Sequence, residues 1–197
     1  PPIPAAPKLQ ASGYLLVDAT NGEILVEHNA EEPLPPASLT KMMTAYIAER
    51  EITEGRMSFD DQVPVSVKAW KTGGSRMFIR EGTEVRLEDL LRGIIIQSGN
   101  DASVAVAEYI AGSEDVFADV MNQTAISLGM TNTQFKNATG LPQEGHYTTA
   151  KDLSILAARI IQDFPGSCRW LLQRLDRRIG RKRRHSDYLG YGCRPRS

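Results

Sequence analysis

A serine and a lysine three residues apart, Ser38 and Lys41, are the pair in this sequence whose types and spacing could do covalent chemistry. They stand where a proline-rich segment, residues 33–36, gives way to an apolar helical pattern, so they open a helix and lie roughly on one face of it. A serine hydroxyl is a weak nucleophile at neutral pH, and a lysine with a lowered pKa can take its proton. The pair is therefore a candidate nucleophile with its own base.

The spacing alone does not identify a site. With 13 serines and seven lysines in the chain, about half a Ser-x-x-Lys match is expected by chance. A second polar group supports the first, because residues 97–101 form a short polar break between two apolar helical patterns. Such a break is a rigid place to present side chains. Ser98 and Asn100 are therefore further candidate site residues.

Local patterns predict the elements that must position these groups. Asn-Gly at 21–22, between two β-rich runs, predicts a hairpin over residues 13–28. The spacing of apolar residues favours several helices. They cover about residues 38–50, 87–95, 102–110, 117–128 and 149–161, and a short β-like piece lies at 62–65.

The composition is that of an ordinary globular protein, with 41% hydrophobic and 24% charged residues. No apolar run approaches the ~20 residues of a membrane helix. The start has no signal-peptide pattern, so we expect that any signal peptide has already been removed. Residues 1–165 carry a net charge of −9 and residues 166–197 one of +8, and none of the 19 alanines lies after residue 165. This break predicts a boundary near residue 165, with a Pro-rich segment at 1–8, a main domain at 9–165 and an unrelated basic tail at 166–197.

Histidine chemistry finds less support. A Ser-His-Asp triad needs a well-placed histidine. His28 lies in the predicted hairpin, His146 in a predicted loop and His185 in the basic tail. We interpret all three as ordinary surface histidines.

Metal and nucleic-acid binding are also disfavoured. Cys168 and Cys193 lack the spacing of a metal site, and no zinc motif occurs, so we expect no metal and no cofactor. The arginine-rich run at 177–184 offers charge for nucleic acid or anionic lipid. Nothing aromatic or structured accompanies it, and we expect no nucleic-acid partner.

Ser38-x-x-Lys41 followed by Ser98-x-Asn100 matches the first two signature motifs of penicillin-binding proteins and serine β-lactamases, whose third is Lys-Thr-Gly. The flanking residues are PASLTKMMT at 36–44, GIIIQSGNDA at 93–102 and LGMTNTQF at 128–135. With them, residues 9–165 resemble the low-molecular-weight D-alanyl-D-alanine carboxypeptidases. The resemblance implies an α/β fold of the α+β type, β-lactamase/transpeptidase-like, in which helices flank an antiparallel sheet.

The resemblance also implies roles. Ser38 would attack the carbonyl between the two terminal D-alanines of a peptidoglycan stem peptide, with Lys41 as the base. Ser98 would relay a proton toward the leaving D-alanine, and Asn100 would hold the substrate backbone. β-Lactams would be covalent inhibitors. The implied protein is a serine-type D-Ala-D-Ala carboxypeptidase in the periplasm, at the outer face of the cytoplasmic membrane.

The third motif does not follow the other two. Lys71-Thr72-Gly73 spells it but precedes Ser98, so we interpret it as a coincidence beside a family-like loop at 74–78. Residues 166–197 contain no Lys-Thr-Gly, and nothing in them resembles the family's later strands, second domain or amphipathic membrane anchor. Their composition fits a shifted reading frame, and we expect an incomplete sheet with an exposed apolar face. Since one lost oxyanion donor costs about 10²- to 10³-fold in rate, activity of this chain is in question.

Two alternatives to the carboxypeptidase stay open. A β-lactamase shares the acylation chemistry and differs in hydrolysing its acyl-enzyme fast. A catalytically inactive fragment would bind only cell wall or a protein partner.

Overall fold

The computed structural model describes residues 9–165, so the predictions for residues 1–8 and 166–197 lie outside the described residues. In chain order the elements are β1 (Tyr14–Val17), β2 (Ile24–His28), a 3₁₀ turn (Ala37–Thr40), α1 (Lys41–Thr53), β3 (Gln62–Pro64), α2 (Val67–Lys71), β4 (Glu84–Arg86), α3 (Leu87–Gln97), α4 (Asn100–Ala111), α5 (Glu114–Leu128) and α6 (Ala150–Asp163). The predicted hairpin and all five predicted helices are confirmed.

Two boundaries near the candidate residues differ from the prediction. The helix predicted from residue 38 begins as the 3₁₀ turn and becomes an α-helix only at Lys41. The helix predicted from residue 102 begins at Asn100, so the polar break consists of Ser98 and Gly99 alone. Asn100 is therefore a helical residue, where the sequence pattern had suggested a loop residue.

The strands form two small antiparallel sheets within the described residues. In the first, β1 pairs with β2, and Tyr14 lies opposite His28. In the second, β3 pairs with β4, a strand that the sequence pattern did not predict. The β1–β2 hairpin contacts α6 but leaves apolar side chains about half exposed, among them Leu16 and Leu25. The expected exposed apolar face is therefore present on this hairpin.

Helix α4 runs through the middle of the fold, and all its residues from Asn100 to Ala107 are buried. It separates two apolar clusters. One cluster packs around α3 and the β3–β4 sheet, and the other is formed mainly by α1, α5 and α6. No helix within residues 9–165 is long and apolar enough to cross a membrane. The central helix thus carries the second candidate motif on a rigid, buried support.

Candidate active site

Ser38 is an exposed residue in the 3₁₀ turn that leads into α1. Ala37, immediately before it, has a φ of 46°, in the left-handed region that residues with a side chain rarely adopt. A Cβ atom on Gly140 would overlap the carbonyl oxygen of Ala37, so only glycine lets this distant backbone pack directly against the turn. The strained backbone before Ser38 is held by that close contact.

Lys41 is the first residue of α1 and only 5% exposed. Its Nζ atom donates a hydrogen bond of 2.7 Å to the carbonyl oxygen of Thr139. Burial disfavours the charged ammonium and lowers the pKa of Lys41 to about 8. A neutral amine at this position is therefore accessible near neutral pH.

Ser98 ends helix α3 in a left-handed conformation, with φ 56° and ψ 38°. Its Oγ atom is buried and has no hydrogen-bond partner among the described residues. Buried hydroxyl groups are usually satisfied, and both a strained backbone and an unpaired polar atom are typical of functional sites. Ser98 therefore has the features of a group kept available for a ligand.

One cavity of about 250 Å³ brings Ser38, Lys41 and Ser98 together. The remaining lining residues come from the 3₁₀ turn, α1, the end of α3 and the end of α6, and most are apolar, with Glu49 the charged one among them. The cavity can support transfer of a proton from a serine hydroxyl to a neutral lysine.

Asn100 is two residues from Ser98 but is not among the residues that line this cavity. Its side-chain Nδ2 donates a hydrogen bond of 2.8 Å to the carbonyl oxygen of Gly73, and its backbone N–H donates to the carbonyl oxygen of Ser75. Both contacts fasten the loop after α2 to the start of α4. The Lys71-Thr72-Gly73 sequence thus lies at the end of a helix and in this loop, not on a strand.

Asp101 strengthens the same junction and was missed by the sequence reasoning. Its fully buried carboxylate accepts hydrogen bonds from the backbone N–H groups of Met77, Phe78 and Ile79. Phe78 adopts a φ of 65°, which this anchoring helps to maintain. An acidic residue in the first turn of a helix suggests only a capping role from sequence, so nothing local indicated the contact.

The loop at 136–141 supports the Lys41 side of the cavity. The Asn137 side-chain oxygen accepts hydrogen bonds from the backbone N–H groups of Thr139 and Gly140, and so fixes the tight turn. The Ala138 carbonyl accepts a hydrogen bond from the Thr44 hydroxyl, one helical turn after Lys41. Thr139 thereby presents its carbonyl oxygen to Lys41 from a rigid backbone.

His146 corrects the interpretation of the histidines, because it is a buried residue and only 7% exposed. Its Nε2 lies 2.9 Å from the hydroxyl oxygen of Thr40, and its Nδ1 lies 3.1 Å from the backbone nitrogen of Lys136. Burial lowers the pKa of His146. A loop histidine can be buried when both ring nitrogens are hydrogen-bonded, and one of these partners, Thr40, is 106 residues away in sequence.

Comparison with known proteins gives a consistent result. The model of the peptidase S11 family, described as D-alanyl-D-alanine carboxypeptidase, matches residues 2–173. The Escherichia coli D-alanyl-D-alanine carboxypeptidase DacC is 42% identical over 166 residues, covering 81% of this chain and 42% of the relative. The corresponding figures for DacF of Bacillus subtilis are 42% over 153 residues, 78% and 39%. The chain spans about two fifths of the length of these curated relatives.

Solved structures agree with the sequence comparison. The D-alanyl-D-alanine carboxypeptidase DacD from Francisella tularensis superposes with a TM-score of 0.81 at 44% identity, covering 84% of this chain and 40% of that one. A penicillin-binding protein from Listeria monocytogenes in its ampicillin-bound form gives a TM-score of 0.73 at 28% identity, covering 82% and 66%. These likenesses confirm the predicted α+β fold class, that of the penicillin-binding proteins.

Proposed function

Since this chain belongs to the peptidase S11 family of D-alanyl-D-alanine carboxypeptidases, we propose that it carries the acylation site of a serine-type D-Ala-D-Ala carboxypeptidase. The proposed substrates are peptidoglycan stem peptides that end in D-Ala-D-Ala. The observation that carries the proposal is the single cavity shared by Ser38, Lys41 and Ser98, three residues with the chemistry of acyl transfer.

The pKa of Lys41 supports its role as the general base. With a pKa of about 8, roughly one Lys41 in ten is neutral at pH 7. A lysine with an ordinary pKa would be neutral in only about one molecule in three thousand at that pH. The buried amine is therefore far better suited to take the hydroxyl proton of Ser38.

In the proposed acylation step, the Ser38 oxygen bonds to the carbonyl carbon of the penultimate D-alanine while Lys41 accepts the hydroxyl proton. The C–N bond to the terminal D-alanine then breaks, and its nitrogen takes a proton through the Ser98 hydroxyl. Ser98 suits this relay because its buried Oγ has no competing partner among the described residues. The products are a Ser38 ester and free D-alanine.

Deacylation completes the cycle. A water molecule attacks the ester carbonyl, one of its protons passes to a neutral base, and Ser38 regains its hydroxyl. The trimmed stem peptide leaves as a carboxylate, so the overall reaction consumes one water per peptide bond.

Asn100 and its neighbours have a supporting part in the proposal. The Asn100 side-chain nitrogen is already hydrogen-bonded to Gly73. Contact with the substrate backbone would therefore use the side-chain oxygen or the loop that Asn100 anchors.

β-Lactams are proposed as covalent inhibitors that acylate Ser38 through their strained amide. The ampicillin-bound Listeria relative supports this part of the proposal. Peptidoglycan lies outside the cytoplasmic membrane, and we propose that the protein acts there, in the periplasm.

Labelling with a fluorescent penicillin tests the proposal directly. We expect the full 197-residue chain to become labelled, and mass spectrometry of its peptides to place the label on Ser38. The Ser38→Ala variant should remain unlabelled while its circular dichroism spectrum is unchanged. Label on another residue, or a folded wild type that stays unlabelled, would refute the proposed acylation site.

The same sample separates the alternatives. A carboxypeptidase releases D-alanine from an acylated Lys-D-Ala-D-Ala peptide and loses its penicillin label slowly, whereas a β-lactamase loses the label fast. A folded chain that is never labelled but sediments with purified peptidoglycan would instead be the inactive binding fragment.

A further inference from the structure

His146 is a buried side chain that the proposed chemistry does not use. Its ring lies edge-on against the fully buried ring of Phe135, with 5.9 Å between the ring centroids. His146 is not among the residues that line the cavity of Ser38, Lys41 and Ser98. Any effect on that chemistry must therefore act through another residue.

The hydrogen bonds of His146 assign the position of its proton. Nδ1 faces the backbone N–H of Lys136 and must accept from it, because a backbone nitrogen can only donate. A neutral imidazole carries one proton, so that proton lies on Nε2. His146 consequently donates from Nε2 to the hydroxyl oxygen of Thr40.

Thr40 lies inside the candidate motif, between Ser38 and Lys41. It is the N-cap residue of α1, yet its side chain makes no capping hydrogen bond, although a threonine there usually bonds to the first turn of its own helix. Its fully buried hydroxyl turns instead to His146, 106 residues further along the chain. The side chain at the start of α1 is thus used for a long-range contact.

Residues 138–146 contact the same turn at several points. Gly140 packs against the Ala37 backbone, the Thr139 carbonyl accepts from Lys41, and His146 binds Thr40. Of these three contacts, the Thr40–His146 hydrogen bond alone joins two side chains. It can therefore be removed and restored by substitution without altering the backbone.

We infer that His146 is a positioning residue, which holds the turn before α1 through Thr40 so that Ser38 and Lys41 face Ser98 across one cavity. The inference rests on the proposed function, because positioning matters for catalysis only if Ser38 is the nucleophile. A displacement of about 1 Å at a reacting group can cost about 100-fold in rate. One hydrogen bond that fixes this turn can therefore affect acylation strongly.

A double-mutant cycle on acylation tests the inference. Thr40→Val removes the acceptor and His146→Leu removes the donor. We expect each change to slow labelling of Ser38 by a fluorescent penicillin by about 10- to 100-fold, at a temperature where every variant is folded. The double variant should be about as slow as the slower single variant, because both changes break the same contact.

Two further variants distinguish positioning from general stabilisation. His146→Gln keeps an N–H donor and should recover most of the labelling rate, whereas His146→Leu should not. His28→Gln changes an exposed histidine in β2 and should label like the wild type. Folded variants that all label at the wild-type rate, or single effects that simply multiply in the double variant, would overturn the inference.

A measurement without acylation keeps the inference testable if the proposed function fails. NMR of the imidazole nitrogens should show the Nε2–H tautomer for His146, and the Nδ1–H tautomer would contradict the inference. NMR titration of Lys41 should show a pKa that rises toward the ordinary lysine value in both Thr40→Val and His146→Leu, and stays unchanged in His28→Gln. An unlabelled wild type with these NMR results would refute the acylation proposal alone, while an unmoved Lys41 pKa would refute the positioning role.

Discussion

Two loops hold the two halves of the proposed site, and they use different electrostatics. Residues 136–141 hold the Lys41 half through neutral groups, chiefly the Thr139 carbonyl oxygen. Residues 73–79 are fastened to the Ser98 half by the buried Asp101 carboxylate, which accepts hydrogen bonds from three backbone N–H groups of this loop. The contacts that reach Lys41 and its turn are therefore neutral, although the Glu114 carboxylate accepts from the Ala138 N–H on the far side of that loop, whereas a full charge acts directly at the Ser98 half.

The difference follows from the requirement that Lys41, and no group in the Ser98 half, change its protonation state near neutral pH. A carboxylate beside Lys41 would favour the ammonium form and raise its pKa, so the base would be protonated at neutral pH. A carbonyl oxygen can orient the amine with a much smaller effect. Ser98 and Asn100 have no such requirement, and charge-assisted hydrogen bonds hold their support more strongly. The polar contacts of each half are thus matched to its proposed chemistry.

The largest expected effect comes from adding a side-chain atom where Gly140 packs against the 3₁₀ turn before Lys41. Gly140→Ala adds a Cβ atom that overlaps the Ala37 carbonyl, at a φ of 83°, and should lower the free energy of unfolding by about 4 kcal/mol. Gly82→Ala also has a positive φ but meets no atom within 4 Å, and should cost only about 1–2 kcal/mol. Urea unfolding measures both, and equal losses would show that the close approach contributes nothing.

The next largest effect concerns the buried Asp101 carboxylate. Asp101→Asn removes the charge that holds the N–H groups of residues 77–79 and should lower the free energy of unfolding by about 2–3 kcal/mol. The matched change Asp119→Asn, on the exposed side of α5, should stay within about 0.5 kcal/mol. The pKa of Lys41, followed by NMR, should remain about 8 in Asp101→Asn. A changed Lys41 pKa in Asp101→Asn would mean that the two halves of the site are not independent.

A smaller effect is expected in the loop that Asn100 fastens. A Cβ on Gly74 would lie 2.6 Å from Asn100 Nδ2, at a φ of 82°. The positive φ costs about 1–2 kcal/mol, as in Gly82→Ala, and moving the Asn100 amide weakens its hydrogen bond to Gly73, so Gly74→Ala should cost about 2 kcal/mol. Gly73→Ala meets no atom within 4 Å and should cost less than about 0.5 kcal/mol. Thermal unfolding measures the stability of both variants. A larger loss of stability for Gly73→Ala than for Gly74→Ala would contradict the described contacts.

The mildest test places a new carboxylate beside Lys41, in a cavity whose lining already includes Glu49. Met42 lines the cavity beside Lys41, and Met42→Glu should raise the pKa of Lys41 above its present value of about 8. Since the base acts when neutral, acylation increases as pH rises through that pKa, and the variant's profile should move to higher pH. A shift of one unit would slow labelling at pH 7 by about tenfold. Met42→Gln, similar in size and uncharged, should keep the wild-type profile, and coincident profiles for both variants would remove the electrostatic argument.

Local pattern predicted the parts of the fold that local sequence encodes. The apolar stripe of α3 and the Gly-containing break after it placed Ser98 at a rigid junction, and the structure has both. The start of α1 was less accurate, because the 3₁₀ turn over 37–40 depends on the strained Ala37, which is held by Gly140 from another part of the chain.

The supporting contacts could not be predicted, because their partners are distant in sequence. Lys41 is 98 residues from Thr139, and Thr40 is 106 residues from His146. No periodicity or short motif carries information over such separations. His146 shows the consequence, since a polar residue in a loop suggests exposure until its two hydrogen-bond partners are known.

The unpaired hydroxyl of Ser98 has a meaning for inhibitor chemistry. Its buried Oγ has no hydrogen-bond partner among the described residues. A ligand atom that hydrogen-bonds to this Oγ adds about 0.5–1.5 kcal/mol of binding free energy without any new apolar contact. Compounds that differ only in this one atom would report that contribution as a change of about 2- to 13-fold in affinity.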